Sequence, residues 1–139
     1  MKKTTRVLIV DDDEGTLDAL GGLLELEGYS VDKARNGREA LDALAAAGEE
    51  PGLILLDLKM PVMDGWQFLT ERAKDAATRG TPVVLLSGLP YIPNAPGVAD
   101  FLSKPINASQ LLDCVRRFCG EPRAGEQPIT RARPAGSSD

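Results

Sequence analysis

Six polar residues stand directly after apolar runs, and their types suit phosphoryl chemistry. Asp11, Asp12 and Asp13 follow Val7-Leu8-Ile9-Val10, and Asp57 follows Leu53-Ile54-Leu55-Leu56. Ser87 follows Val83-Val84-Leu85-Leu86, and Lys104 follows the weaker run Ala99 to Ser103. Carboxylates gathered at one place repel each other and raise each other's pKa unless a cation joins them. All-oxygen ligands suit a hard ion, and Mg²⁺ typically takes one or two carboxylates together with waters and phosphate oxygens. A carboxylate beside Mg²⁺ and a lysine can accept a phosphoryl group, because the metal neutralises charge on the transferring oxygens and the protein supplies positioning. A hydroxyl and an ammonium can then hold the product's oxygens. Each residue alone has an ordinary structural reading: Asp13 as a helix cap, Ser87 as a turn residue, Lys104 as a solvated charge. The specific feature is the set, since four strand ends carry the required types together.

Such a set needs a sheet that brings strand ends to one edge. The three solid apolar runs fit strands buried on both faces, as in a parallel sheet. Tyr29 to Lys33 and Ala99 to Ser103 read as weaker strands. Helical patterns lie between them. Leu17, Leu20, Leu23, Leu24 and Leu26 recur at helical spacing, weakened by Gly21-Gly22 and stopped at Gly28. Asn36 caps a second helix, with Glu39 completing a capping-box-like pair; Ala40, Leu41, Leu44 and Ala47 form its apolar face and Gly48 ends it. Asp64 caps a third helix carrying Phe68, Leu69 and Ala73, and Asn107 a last one with Leu111, Leu112, Val115 and Phe118 inward. Alternating strands and helices predict an α/β doubly wound sheet, covered on both faces and joined by right-handed crossovers. Ligands of such sheets sit at the carboxyl ends of the strands.

Gly88 to Val98 breaks the alternation. Pro90, Pro93 and Pro96 forbid a regular helix interior where a fourth helix is due. Residues 121–139 are rich in Pro, Gly, Arg and Ser and hold too little apolar surface to offset ordering entropy, so a folded domain over 1–120 and a disordered tail over 121–139 are expected.

Composition narrows the chemistry further. The chain has 139 residues, enough for one core, and no histidine, which excludes histidine general bases, Ser-His-Asp triads and histidine metal ligands. Its two cysteines are not spaced as a C-x-x-C pair and cannot hold zinc unaided. A net charge of −5 argues against non-specific nucleic-acid binding. No segment approaches the roughly 20 apolar residues of a membrane span, so a cytoplasmic location off the membrane is expected.

The residues closely resemble the response-regulator receiver family, including stand-alone chemotaxis-type regulators. VLIVDDDEGTLDAL is similar to its first strand and acidic pair, LILLDLKMPVMDGWQFL to its phosphoacceptor segment, VVLLSG to the strand ending in the switch hydroxyl, and ADFLSKP to its aromatic–x–x–Lys-Pro segment. The likeness runs over roughly residues 5–119, and LDLKMPVMDG is its most specific part. It implies a flavodoxin-like five-stranded parallel sheet of order 2-1-3-4-5. It implies Asp57 as phosphoacceptor, with Mg²⁺ held by Asp12 directly, by Asp11 through water or as a second acid, by Asp57, and by the Lys59 backbone carbonyl. Ser87 is then the hydroxyl that moves onto the phosphoryl group, Lys104 its cationic partner, Phe101 the aromatic switch, Lys104–Pro105 a cis peptide, and Gly65 a tight backbone position. The phosphoryl group would come from a histidine kinase or histidine phosphotransfer protein, in two-component signalling. Two departures stand out: the segment between Ser87 and Lys104 is short and proline-rich, so the fourth helix is expected to be reduced or replaced by a loop, and the polar residues 121–139 are not expected to form an output module. Two other readings are a Mg²⁺-dependent phosphatase of the haloacid-dehalogenase type and a receiver-like scaffold that signals without phosphorylation. The first leaves LDLKMPVMDG unexplained and finds Gly15 where that family carries Thr or Val; the second sits poorly with a complete acidic site.

Overall fold

The most apolar runs form the centre of the sheet. In the computed structural model, which describes residues 5–46, 50–58, 60, 62–75, 80–88 and 97–122, the strands are β1 (Arg6–Val10), β2 (Ser30–Ala34), β3 (Leu53–Asp57), β4 (Val83–Ser87) and β5 (Val98–Ser103). The helices are α1 (Glu14–Leu26), α2 (Gly37–Ala46), α3 (Gly65–Arg72) and α4 (Ala108–Cys119). All five strands pair in parallel, in the order β2-β1-β3-β4-β5. The solidly apolar β1, β3 and β4 take the three inner places, while the more polar β2 and β5 take the edges.

Strand side chains alternate between faces, so each inner run serves two cores. Val7, Ile9, Leu53, Leu55, Val84 and Leu86 pack on one face against Leu17, Leu20 and Leu24 of α1 and Leu111 and Val115 of α4. Leu8, Val10, Ile54, Leu56, Val83 and Leu85 pack on the other against Ala40 of α2 and Phe68 and Leu69 of α3. An apolar residue at every position is what a strand covered on both sides requires.

The helix ends follow the cap chemistry in the sequence. Asp13, Asp64 and Asn107 each accept the backbone N–H three residues on. Asn36 accepts from Glu39 N (2.8 Å), but the Glu39 carboxylate reaches back to Arg35 N rather than to Asn36 N. Leu26 and Ala73 do not face the core as the spacing suggested; Leu26 is 72% exposed because it falls on the outer side of the last turn of α1. Ala47 and Gly48 lie outside the described residues. Both cysteines, unassigned by the sequence, belong to the apolar stripe of α4 with Leu111 and Val115. Neither is in a disulfide, and burial, with a smaller contribution from the charge of Asp100, pushes the Cys114 thiol up to about 11, so it is an inert core group.

β4 ends at Ser87 and β5 starts at Val98, leaving ten residues for their connection. The helix in question there would fall on residues 89–96, which lie outside the described residues, as do 123–139 of the expected tail.

One backbone position is strained. Val62, in the loop between β3 and α3, has a φ of 71°, a left-handed conformation that a β-branched residue adopts at a cost of about 1–2 kcal/mol. Gly22 offers the opposite case, an interior helix position where an added Cβ meets nothing within 4 Å. Gly22→Ala is therefore expected to stabilise the fold by about 0.5–1 kcal/mol, seen as a higher urea midpoint with an unchanged slope.

Candidate phosphoacceptor site

The carboxyl ends of β1, β3, β4 and β5 meet at one rim. Asp11 continues the line of β1; its N–H donates to the Ala34 carbonyl (3.0 Å) and its side chain is wholly buried. Its two carboxylate oxygens have different partners: Oδ1 accepts from Asp13 N (2.9 Å), Oδ2 from Lys104 Nζ (3.1 Å). Asp57, the last residue of β3, is buried, and its Oδ1 accepts from the same ammonium (3.3 Å). Asp12 is exposed at the mouth. Carboxylate oxygens of Asp11, Asp12 and Asp57 all lie within 4.8 Å of one another.

Lys104 is placed by backbone pairing. Its N–H donates to the Ser87 carbonyl (2.8 Å), extending the β4–β5 ladder by one step, and its peptide bond to Pro105 is cis. Ser87 is buried at the end of β4. The register sets Asp57 opposite Leu86, so Ser87 stands one residue beyond the level of Asp57. Asp13 takes no part in the cluster: it caps α1, accepting from Thr16 N (3.0 Å) and Thr16 Oγ1 (2.6 Å), and these bonds hold its carboxyl below the usual range. Phe101 lies on β5 opposite Leu85 and is 43% exposed, so it is not an ordinary core aromatic. Lys59 lies outside the described residues.

The electrostatics favour an added cation. Burial raises the Asp57 pKa above its ordinary 3.8, and the neighbouring Asp11 charge pushes the same way against the pull of Lys104. For Lys104, burial alone would lower the pKa, but the bond to Asp11 and the charges of Asp57 and Asp11 outweigh it and raise it. Among the described residues, one ammonium faces three carboxylates, which leaves the pocket negative. An oxygen-only, under-neutralised donor set fits a hard divalent ion such as Mg²⁺.

The loop after Asp57 is tied down by two close backbone approaches, only one of them legible in advance. Gly65 N–H donates to the Leu58 carbonyl (2.9 Å), and a Cβ on Gly65 would sit 2.7 Å from the Asp57 carbonyl oxygen. Gly37 N–H donates to the Met63 carbonyl (2.8 Å), and a Cβ there would sit 2.6 Å from Met63 Cγ. Gly65 stands in the Asp-Gly of LDLKMPVMDG. Nothing near Gly37 in sequence signals its link to a loop twenty-six residues away.

The response regulator receiver domain description matches residues 7–116, most of the chain. The chain belongs to that family. This receiver domain is 34% identical over 115 residues to Protein PilH of Pseudomonas aeruginosa, covering 79% of this chain and 93% of PilH. It is 39% identical over 118 residues to the transcriptional regulatory protein GlrR of Escherichia coli, which covers 81% of this chain but 26% of GlrR. The chain thus spans about a quarter of the length of GlrR, and likewise of the response regulator PleD of Caulobacter vibrioides. Among solved structures, the chemotaxis response regulator CheY4 of Vibrio cholerae superposes with a TM-score of 0.75 at 30% identity, over 83% of this chain and 98% of CheY4. Receiver domains are the phosphoacceptor switches of two-component systems, taking phosphoryl groups from histidine kinases or phosphotransfer proteins and generally binding Mg²⁺ at an acidic cluster. The acidic pocket of this receiver domain fits Mg²⁺ binding and phosphorylation. Among its described residues, no helix is long and apolar enough to cross a membrane.

Proposed function

We propose that this receiver domain takes a phosphoryl group from a partner's phosphohistidine onto Asp57 and works as a protein-interaction switch. The single observation that supports it is the convergence of Asp57, Asp11, Asp12 and Lys104 from three strand ends on one small rim. A carboxylate oxygen of Asp57 attacks phosphorus in line. The P–N bond to the donor imidazole breaks, and that nitrogen keeps the bonding pair and takes a proton. Asp11, Asp12, Asp57 and the Lys59 carbonyl are the residues that would hold Mg²⁺, which supplies charge neutralisation for the transferring oxygens. The Ser87 hydroxyl donates to one oxygen of the resulting acyl phosphate, and the Lys104 ammonium pairs with another. The Phe101 side chain then shifts, a local change at the edge of the site that works as a switch. Water attacking phosphorus later releases phosphate and restores the Asp57 carboxylate. Having no histidine, the chain is the receiver of the phosphoryl group and not its histidine source.

Acetyl phosphate with Mg²⁺ is expected to add one phosphoryl group per chain, read as an intact-mass increase, and a chelator should prevent it. Steady turnover of a phosphomonoester would instead favour the phosphatase reading. Failure to bind both Mg²⁺ and beryllofluoride would favour an unphosphorylated scaffold.

A further inference from the structure

Beside the acidic rim, the chain holds an apolar residue outward in a strained conformation. Among the described residues, Val62 alone combines a non-glycine side chain with positive φ, and it is 79% exposed. Its neighbours Leu58 and Met60 point inward and are 5% and 9% exposed. One turn on, Trp66 is 38% exposed and, with Met63, Gln67, Thr70 and Glu71, lines a groove of about 260 Å³. That is smaller than a typical small-molecule pocket of about 300–1,000 Å³ and suits one or two side chains. Strain kept at the edge of a site is a pointer to function, since Asn or Gly would relieve it.

We propose that Val62 and the Trp66 groove are the anchor on which the phosphodonor protein seats the helix that carries its phosphohistidine. This rests on the phosphotransfer reading above. The donor must cover the rim to reach Asp57, and Val62 lies five positions on in the loop leaving it, so the patch continues a surface the donor has to occupy. The knob is preorganised, because the loop is pinned on both sides by the Gly37 N–H to Met63 carbonyl bond (2.8 Å) and the Gly65 N–H to Leu58 carbonyl bond (2.9 Å). A rigid apolar knob beside an aromatic-lined groove is the usual make-up of an interface hot spot, and rigidity lowers the ordering cost of association. Among the described residues, the neighbouring rim carries Asp11, Asp12 and Asp57 against one ammonium, so the matching donor helix presents apolar side chains next to its histidine with basic residues at their flank.

Val62→Asn and Trp66→Ala provide the test, with acetyl phosphate as the small donor and, as protein donor, the autophosphorylated histidine-kinase core that loads the wild-type chain fastest in a panel. Asn tolerates positive φ, so Val62→Asn should fold more stably than wild type, and loss of transfer cannot then be blamed on unfolding. Each substitution is expected to lower kcat/KM for the kinase by about tenfold or more, while labelling by acetyl phosphate stays within about twofold of wild type. Trp66 is the only tryptophan, so its fluorescence should become shielded from acrylamide when the unphosphorylated kinase core is added. Unchanged kinase transfer in both variants, an equal loss with both donors, or shielding that depends on this chain's own concentration without kinase would each overturn the anchor. No labelling of the wild type by acetyl phosphate would instead overturn the phosphotransfer reading beneath it.

Discussion

Asp57→Asn is expected to abolish labelling by acetyl phosphate and by any histidine kinase, and to do so without weakening the fold. The amide keeps the shape of the carboxylate but has no anionic oxygen to attack phosphorus. The stability argument follows from the direction of the pKa. Asp57 sits above its ordinary 3.8 in the folded chain, chiefly through burial and then through the Asp11 charge. A raised carboxyl adds stability that is fully present below the unfolded value and lost as pH rises through the folded one. At neutral pH the ionised Asp57 is therefore a cost to the fold when no divalent ion is bound. Asp57→Asn removes that cost, while Lys104 keeps its partner Asp11 at 3.1 Å. Calorimetry without Mg²⁺ at pH 7 should give a Tm for Asp57→Asn equal to or above wild type, and the rise in Tm on adding Mg²⁺ should be smaller in the variant. A variant labelled one-to-one would contradict the assignment of the phosphoacceptor, and a markedly lower Tm would contradict the electrostatic account.

Lys104→Met should be the most destabilising of the single changes that leave the core intact. One ammonium bridges Asp11 and Asp57, two carboxylates on chain segments forty-six residues apart. Removing one partner of a buried pair leaves uncompensated charge and costs about 3–5 kcal/mol. Lys104 keeps 32% of its side chain exposed, so solvent screening brings the expected loss to about 2 kcal/mol. Its pKa is raised, so its contribution is complete at neutral pH and falls away only as pH climbs through a value above its ordinary 10.5. Urea unfolding followed by Trp66 fluorescence should show the lower midpoint, and millimolar Mg²⁺ should recover part of it by supplying charge to the same carboxylates. Equal midpoints with and without Lys104 would mean that the ammonium does not hold the rim together. Loss of Lys104 should also slow phosphotransfer and uncouple Ser87 and Phe101 from the state of Asp57.

The sheet was legible because its information is local. Val7–Val10, Leu53–Leu56 and Val83–Leu86 carry an apolar residue at every position, which only a strand covered on both faces accommodates, and the caps Asp13, Asp64 and Asn107 stand where the helices begin. The same local reasoning placed Asp11, Asp12, Asp57, Ser87 and Lys104 at strand ends, and a parallel sheet brings strand ends together whatever the details of packing. Helical periodicity overreaches at two helix ends: Leu26 falls on the outer side of the last turn of α1, and Ala73 stands just past the end of α3.

What the sequence determined by itself, then, is the sheet, the side to which its polar ends face and the set of groups gathered there. Tertiary structure alone decided which group meets which. That Lys104 bridges Asp11 as well as Asp57, that Asp13 turns away to cap α1, that Gly37 pins Met63 and that Val62 is held outward at positive φ all depend on register between strands and on loops meeting helices from distant parts of the chain. Those contacts are set by packing geometry summed over the whole core, and no short stretch of residues encodes them.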